Sequence, residues 1–170
     1  MRIAYADPPY PGCSHLYKDH PDYAGEVDHA DLVTRMTDEY DAWIMHTAST
    51  TLSQVLAVCP DEHRVGAWVK SFASFKPGVN PAYAWEPVIF YGWRNDSSRE
   101  RPTVRDWISC PITLRRGLTG AKPREVVWWA LEVVGASPSD DLDDLFPGTG
   151  AVLSAWNSWR AQLRIGDVAQ

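Results

Sequence analysis

Near the start of the chain, a short apolar run leads straight into an acid, two prolines and an aromatic: Arg2-Ile-Ala-Tyr-Ala-Asp7-Pro-Pro-Tyr10. Proline fixes φ and cannot donate to a sheet ladder, so the strand predicted over 2–6 must stop there on a stiff, extended backbone. Taken alone, Pro-Pro more often marks an ordinary turn. A strand that ends on an acid and such a backbone is nevertheless suited to hold unpaired acceptors towards a ligand.

The composition predicts a globular chain of one domain. With 170 residues, 45% of them hydrophobic and 22% charged, the chain can bury a sizeable core, which excludes a disordered or fibrous protein. No apolar run suits a membrane span and no signal peptide is evident, so a cytoplasmic enzyme or binding module is expected. The cysteines, Cys13, Cys59 and Cys110, are too widely spaced for a disulfide framework or a Cys-x-x-Cys metal knuckle, which fits a reducing compartment.

Charge is distributed unevenly along the chain. The net charge is −6, yet residues 64–124 hold eleven Lys or Arg against four Asp or Glu, a local +7 that leaves −13 for the remainder. Arginines in this segment are interleaved with tryptophan and tyrosine, a pattern that suits a polyanion with exposed bases, although a solvated basic face is nearly as frequent. The candidate nucleic-acid contacts are Lys70, Lys76, Arg94, Arg115 and Arg116. For the two lysines, simple solvation is an equal alternative.

Strand and helix signals alternate along the sequence. Strands are predicted over 2–6, 42–46, 64–69, 87–93 and 141–146. Helices are predicted over 29–39 with Asp28 as the cap, from a cap at Thr50 or Thr51 to 58, from Pro123 to about 134, and over 150–163. This alternation predicts an α/β domain with a mainly parallel sheet and helices on both faces.

A second informative stretch follows the last predicted strand and reads Asp143-Asp-Leu-Phe-Pro-Gly-Thr-Gly150-Ala. A strand that passes through a glycine turn into a helix brings backbone N–H groups and the positive helix end close to a ligand, because glycine leaves room for the approach. A lone Gly-x-Gly is as often an ordinary turn. Together with the stretch that ends at Tyr10, it favours a ligand site at the strand ends.

Both stretches resemble motifs of one enzyme family. Asp7-Pro8-Pro9-Tyr10 resembles the catalytic signature of the S-adenosylmethionine (SAM)-dependent methyltransferases that modify exocyclic amines of nucleic-acid bases. The run from Asp144 to Gly150 resembles their cofactor loop, with leucine where the family usually has proline and threonine where it usually has serine. Gly120-Ala-Lys-Pro123 resembles the lysine-proline segment upstream of that loop. This motif order is the permuted order of bacterial and phage adenine methyltransferases and of the mRNA adenosine methyltransferases.

The resemblance implies a fold, a cofactor and a set of site residues. It implies one minimal, circularly permuted Rossmann-like methyltransferase domain over 1–170, without a separate target-recognition domain, and SAM as the cofactor. The implied catalytic residues are Asp7, Pro8, Pro9 and Tyr10. The implied cofactor-binding residues are Asp144, Phe146, Gly148, Thr149, Gly150 and Lys122. Asp144 would meet the SAM amino group and Lys122 its carboxylate.

The chemistry explains why the catalytic signature has these residue types. An exocyclic aromatic amine donates its lone pair into the ring and is a poor nucleophile until hydrogen bonds draw on its two N–H groups. The Asp7 carboxylate and the Pro8 carbonyl can each accept one of them. Tyr10 offers a flat face on which a base stacks, worth ~1–3 kcal/mol. The segment is therefore interpreted as a clamp for an amine.

Several alternatives stay open from the sequence. Methylation of adenine in DNA is expected, with RNA adenine, cytosine N4 and a catalytically silent binding subunit as alternatives. The presence of both motifs speaks against a silent subunit, which has no use for an amine clamp. Glu86 resembles a family glutamate, and a structural hydrogen bond is at least as good an explanation for it as a catalytic role.

Metal binding and assembly are less strongly indicated. Cys13, His15 and His20 have a loose metal-like spacing without a second cysteine pair, so a loop over the substrate is favoured and no metal is expected. A homodimer is expected, formed by the tryptophan-rich helices around Trp128 and 156–159 or by the arginine-rich stretch 94–105.

Overall fold

The computed structural model describes residues 1–18, 25–71, 77–94, 103–113 and 121–168. Its strands are β1 (Arg2–Ala6), β2 (Ala42–His46), β3 (Arg64–Val69), β4 (Trp85–Tyr91), β5 (Trp107–Ser109) and β6 (Asp141–Asp144). Its helices are α1 (His29–Glu39), α2 (Leu52–Leu56), α3 (Arg124–Val133) and α4 (Ala151–Val168), and a 3₁₀ turn covers Ser14–Tyr17. None of the helices within these ranges is long and apolar enough to cross a membrane.

The strands form one sheet in the order β5-β3-β4-β2-β1-β6. β1 is parallel to β2 and β6, β3 is parallel to β5, and β4 is antiparallel to both β2 and β3. Five strands therefore point one way and β4 alone runs against them. The carboxyl ends of β1, β2, β3 and β6 lie at the same edge as the amino end of β4, and this edge is called the carboxyl edge below.

Helices cover the sheet on both faces, so alternate residues of a strand belong to different cores. On β1, Ile3 and Tyr5 are fully buried in the layer that also holds the apolar residues of α3 and α4. Ala4 and Ala6 are fully buried in the other layer, together with the inner faces of α1 and α2. This period of two confirms the predicted α/β architecture with helices on both faces.

Most element bounds follow the sequence signals, and β4 is the informative exception. Asp28 caps α1 as predicted, since its carboxylate accepts from the N–H groups of Ala30 and Asp31 at 2.9 and 3.1 Å. β4 begins at Trp85, two residues before the predicted start at Pro87. The Pro87 carbonyl accepts from the Thr47 N–H, just past the last residue of β2. Proline has no N–H to donate, but β2 has already ended at the position that faces Pro87. No hydrogen bond between these two strands is therefore lost, and β4 tolerates a proline although it is a central strand.

Trp156 and Trp159 lie in the core, so the prediction that these tryptophans are exposed was wrong. Trp156 and Trp159 are only 3% and 6% exposed, and their rings stack 5.4 Å apart. The Trp128 indole N–H donates to the Ala155 carbonyl at 2.8 Å and ties α3 to α4. A homodimer stays a prediction, and most of the stretch 94–105 lies outside the described residues.

Candidate active site at the carboxyl edge

The two sequence motifs meet on neighbouring strands. Tyr5 of β1 and Asp144 of β6 are register partners in the parallel pair. One residue further on, the Leu145 N–H donates to the Tyr5 carbonyl at 2.9 Å. The segment that begins at Asp7 and the glycine turn after β6 therefore leave the sheet side by side at the carboxyl edge.

The segment from Asp7 to Tyr10 follows the end of β1 and contains the acceptors on which the predicted amine clamp depends. The Asp7 side chain is 21% exposed, and its Oδ1 binds the Lys122 ammonium at 2.9 Å. Within the described part of the chain, Asp7 Oδ2 and the Pro8 carbonyl accept no hydrogen bond. Burial raises the pKa of Tyr10 well above its ordinary value although Lys122 opposes this, so the ring is a neutral phenol. Two acceptors and an aromatic ring thus lie within four consecutive residues.

Lys122 occupies the centre of the site. Its ammonium lies 2.9 Å from Asp7 Oδ1, 2.9 Å from Glu86 Oε1 and 3.4 Å from the Tyr10 hydroxyl. Burial alone would lower the pKa of Lys122, but the nearby Asp7, Tyr10 and Glu86 hold that pKa well above its usual value. Lys122 is therefore a buried cation in direct contact with two residues of the predicted clamp.

Glu86, at the amino end of β4, is the most heavily bonded carboxylate of the site. Its Oε1 accepts from His46 Nδ1 at 2.8 Å, and its Oε2 accepts from Lys70 at 3.1 Å. Burial would raise the pKa of Glu86, yet Lys122 and the hydrogen bond from His46 hold it well below its ordinary value. Glu86 is thus anionic, and of its two sequence-based interpretations the structure provides the hydrogen-bonded one.

A tyrosine behind His46 completes this set of contacts. The Tyr5 hydroxyl lies 2.7 Å from His46 Nε2, and burial raises the pKa of Tyr5 well above its ordinary value. An anionic carboxylate can only accept, so His46 Nδ1–H donates to Glu86, and the Tyr5 hydroxyl bonds Nε2 on the other side of the ring. Neither Tyr5 nor His46 was predicted from the sequence as a site residue. The sequence signal that could have pointed to His46 is a histidine at the end of an otherwise apolar predicted strand. In the structure this strand, Ala42–His46, is buried throughout.

The glycine turn holds an unsatisfied acid next to open backbone. Asp144 Oδ1 accepts from the Phe146 N–H at 3.3 Å, whereas Asp144 Oδ2 is buried without a partner among the described residues. The pKa of Asp144 is raised to about 6, mainly by burial. The Phe146 N–H lowers this pKa, and the charge of Asp7 raises it. Gly148 and Gly150 have φ of 43° and 72°. A Cβ would touch only the Phe146 carbonyl at Gly148 and nothing within 4 Å at Gly150, so the turn is open to a ligand.

The structure does not bring every predicted contact to this edge. Arg94 follows the carboxyl end of β4 at the opposite edge, where its guanidinium binds Asp140 at 2.8 and 3.1 Å. Lys70 is at the carboxyl edge, but it pairs with Glu86 and lies 4.8 Å from the centre of the Trp68 ring instead of standing free. The remaining candidates, Lys76, Arg115 and Arg116, lie outside the described residues.

One group of side chains in the described ranges has the spacing of metal ligands. Ligand atoms of Asp7, His46 and Glu86 lie within 4.8 Å of one another. The Lys122 ammonium contacts both carboxylates of this group, so a cation of the chain itself already offsets part of their charge. Cys13 and His15 are not part of the group, and His20 lies outside the described residues.

Comparison with known proteins identifies a fold. No protein-family model and no curated protein matches the sequence. The crystal structure of an M1.HpyAVI–SAM complex is similar with a TM-score of 0.64 at 12% identity, over 94% of this chain and 78% of that one. A second crystal structure of M1.HpyAVI gives a TM-score of 0.58 at 13% identity, over 94% and 77%. The chain therefore has a Rossmann-like methyltransferase fold.

Proposed function

We propose that this chain is a SAM-dependent methyltransferase that acts on the exocyclic amine of adenine in DNA. The observation that carries the proposal is the adjacency of two features on β1 and β6. The free acceptors at Asp7 and Pro8 lie beside a glycine turn that follows Asp144, whose buried Oδ2 has no partner among the described residues. The similarity in fold to a structure solved with SAM bound supports the cofactor.

The residues of the glycine turn fit the methionine part of SAM. A buried carboxylate oxygen without a partner is costly, and the SAM ammonium group would satisfy Asp144 Oδ2. Gly148 and Gly150 leave the backbone open, and Phe146 and Thr149 flank them in the same turn. When bound, SAM supplies a methyl group activated by its sulfonium. The part of this chain is to hold the cofactor in one orientation beside Asp7.

The segment from Asp7 to Tyr10 fits an amine on a flat base. Asp7 Oδ2 and the Pro8 carbonyl accept the two N–H groups of the amine, which frees its lone pair for attack. The Tyr10 ring supports the base from one face, and in a duplex the base must first leave the stack. Asp7 and Tyr10 are fixed by Lys122, so most of the catalytic effect comes from positioning.

The choice of a nucleic acid as substrate rests on the distribution of charge. The basic segment 64–124 has a net charge of +7 in a chain of −6, which favours a phosphate backbone as partner. We propose that residues 1–170 act as one minimal domain. Contacts from this basic segment would be mostly to phosphates, so binding should be weak and should fall steeply with salt.

Mass spectrometry of nucleosides tests the proposal. The purified chain is incubated with SAM and with DNA or RNA oligonucleotides, which are then digested and analysed, with Asp7→Ala as the control. N6-methyladenine in DNA is the expected product. Methylated adenine in RNA or N4-methylcytosine would reassign the substrate. No product from any oligonucleotide, by a folded chain that binds SAM, would favour a catalytically silent subunit.

A further inference from the structure

We propose that Lys122 and Glu86 are positioning residues for methyl transfer: Glu86 anchors the Lys122 ammonium, which in turn fixes the Asp7 carboxylate and the Tyr10 phenol in the arrangement that receives the target amine. This inference rests on the proposed function. It assigns Lys122 a role different from the one implied by the resemblance, in which this lysine pairs with the SAM carboxylate.

The hydrogen-bonding capacity of Lys122 supports the assignment. An ammonium group has three N–H donors and no acceptor. Asp7, Glu86 and Tyr10 provide three oxygen partners at 2.9, 2.9 and 3.4 Å, and the side chain is only 6% exposed. The ammonium of Lys122 thus has three oxygen neighbours inside the chain, and two of them belong to the clamp itself.

One consequence concerns the orientation of Asp7. A carboxylate at the end of a strand can rotate, and its two oxygens are equivalent until something distinguishes them. Because Lys122 holds Oδ1, the other oxygen is the one presented to the amine. The same ammonium contacts the Tyr10 hydroxyl, so the acceptor and the stacking ring are fixed relative to each other.

Glu86 gives this arrangement a rigid base. Its carboxylate is only 7% exposed and is bonded by His46 from the end of β2 and by Lys70 just past the end of β3. Glu86 itself belongs to β4, the central strand between β2 and β3. Three neighbouring strands therefore fix the anchor, and sites supported in this way hold their geometry better than sites on loops alone.

Charge balance explains why the two residues must act together. Ligand atoms of Asp7 and Glu86 lie within 4.8 Å of each other in a largely buried site. Two carboxylates so close repel each other unless a cation lies between them. Removal of Lys122 would push Asp7 away from its position, and removal of the Glu86 charge would leave the ammonium held from one side only.

The test is a double-mutant cycle with Glu86→Gln and Lys122→Met, with Glu125→Gln as the matched control. Glu125 lies on α3, is exposed and, among the described residues, pairs with its neighbour Arg124. Each variant is assayed for kcat and KM with a DNA oligonucleotide, for SAM affinity by calorimetry and for folding by thermal melting. Glu86→Gln keeps the size and shape of the side chain, so it remains informative if Lys122→Met fails to fold.

The expected result is a loss in kcat of about 10- to 100-fold for each single variant, with the Kd for SAM changed by less than about threefold. The double variant should fall no lower than the worse single variant, because the residues act as one unit. Glu125→Gln should behave as wild type. Full kcat in folded Glu86→Gln, or a loss in Lys122→Met confined to SAM binding, would overturn the inference. An inactive wild-type chain would instead count against the proposed function.

Discussion

Asp7 and Asp144 stand at the ends of neighbouring strands, and the charge of the first adds to burial in raising the pKa of the second to about 6. Lys122 compensates Asp7, whereas Oδ2 of Asp144 has no partner in the described part of the chain. Without a ligand, a carboxylate paired with an ammonium group and a carboxyl group with one unpartnered oxygen thus lie side by side. A cationic ligand group would relieve the second.

Asp144→Asn should weaken SAM binding by roughly 10- to 100-fold, the effect of losing one hydrogen bond to a charged group. The same change should leave the melting temperature of the free protein unchanged or higher, because a buried, poorly satisfied charge is removed. Calorimetry and thermal melting measure the two effects. Unchanged SAM affinity in this variant would remove Asp144 from the cofactor site.

SAM binding should depend on pH through the same residue. Only ionised Asp144 pairs with an ammonium group, so SAM affinity should fall as the pH drops through about 6. The stability of the free protein should change in the opposite sense. A carboxyl pKa raised from 3.8 to about 6 means that the folded state binds more protons, so stability from this group declines as pH rises through that window. The contribution of Asp144 to each dependence should be lost in Asp144→Asn.

Asp7→Ala should reduce methyl transfer by at least about 100-fold, the usual scale for losing one group that acts on the reacting atoms. SAM affinity should stay within about threefold, because the glycine turn keeps its shape. Rates with a DNA oligonucleotide and calorimetric titration with SAM measure the two effects. Complete loss of SAM binding in a folded variant would place Asp7 in the cofactor site instead.

Gly148→Val should weaken SAM binding with little effect on packing. A Cβ at this position meets nothing closer than the Phe146 carbonyl at 3.8 Å, but φ is 43°, a conformation in which valine is strained. The turn should therefore change shape. Gly135→Val is the control, because Gly135 also has positive φ, at 67°, and follows α3 at the far end from Lys122. It should lower the melting temperature and leave SAM affinity unchanged.

Trp156→Ala should destabilise the protein by about 3–5 kcal/mol, the range for truncating a buried aromatic. Trp156 is 3% exposed and stacks on Trp159. Leu153→Ala on the same helix, where the side chain is 39% exposed, should cost far less. Urea unfolding compares the two variants. Equal stabilities combined with a change in oligomeric mass would return the tryptophan to an interface.

The sequence predicted those parts of the fold that depend on local pattern. β1, β2, β3 and α1 have the predicted bounds because apolar periodicity and the Asp28 cap are local signals. The start of β4 was predicted two residues too far along the chain, at its proline. A proline inside this strand is tolerated because β2 has ended opposite it, and that depends on the register of another strand. β5 was missed, since three residues at a sheet edge carry too short a pattern.

Only those parts of the candidate site that are contiguous in sequence could be predicted. Two motifs, each carried by consecutive residues, could be read directly. The contacts among Lys122, Glu86 and His46 join three separate regions of the chain, and no local spacing reveals them. Arg94 shows the converse. It lies within the basic segment, yet β4 carries it to the far edge of the sheet, where it pairs with Asp140.

The place of β1 in the sheet bears on how the chain behaves during its own synthesis. β1 is synthesised well before β6 but lies between β2 and β6 in the sheet. Until β6 arrives, the nascent β1–β2 pair presents an unpaired apolar edge, the kind of surface that recruits other chains. Slow translation before residue 141 would prolong that exposure, and chaperone demand should be highest for chains stalled there.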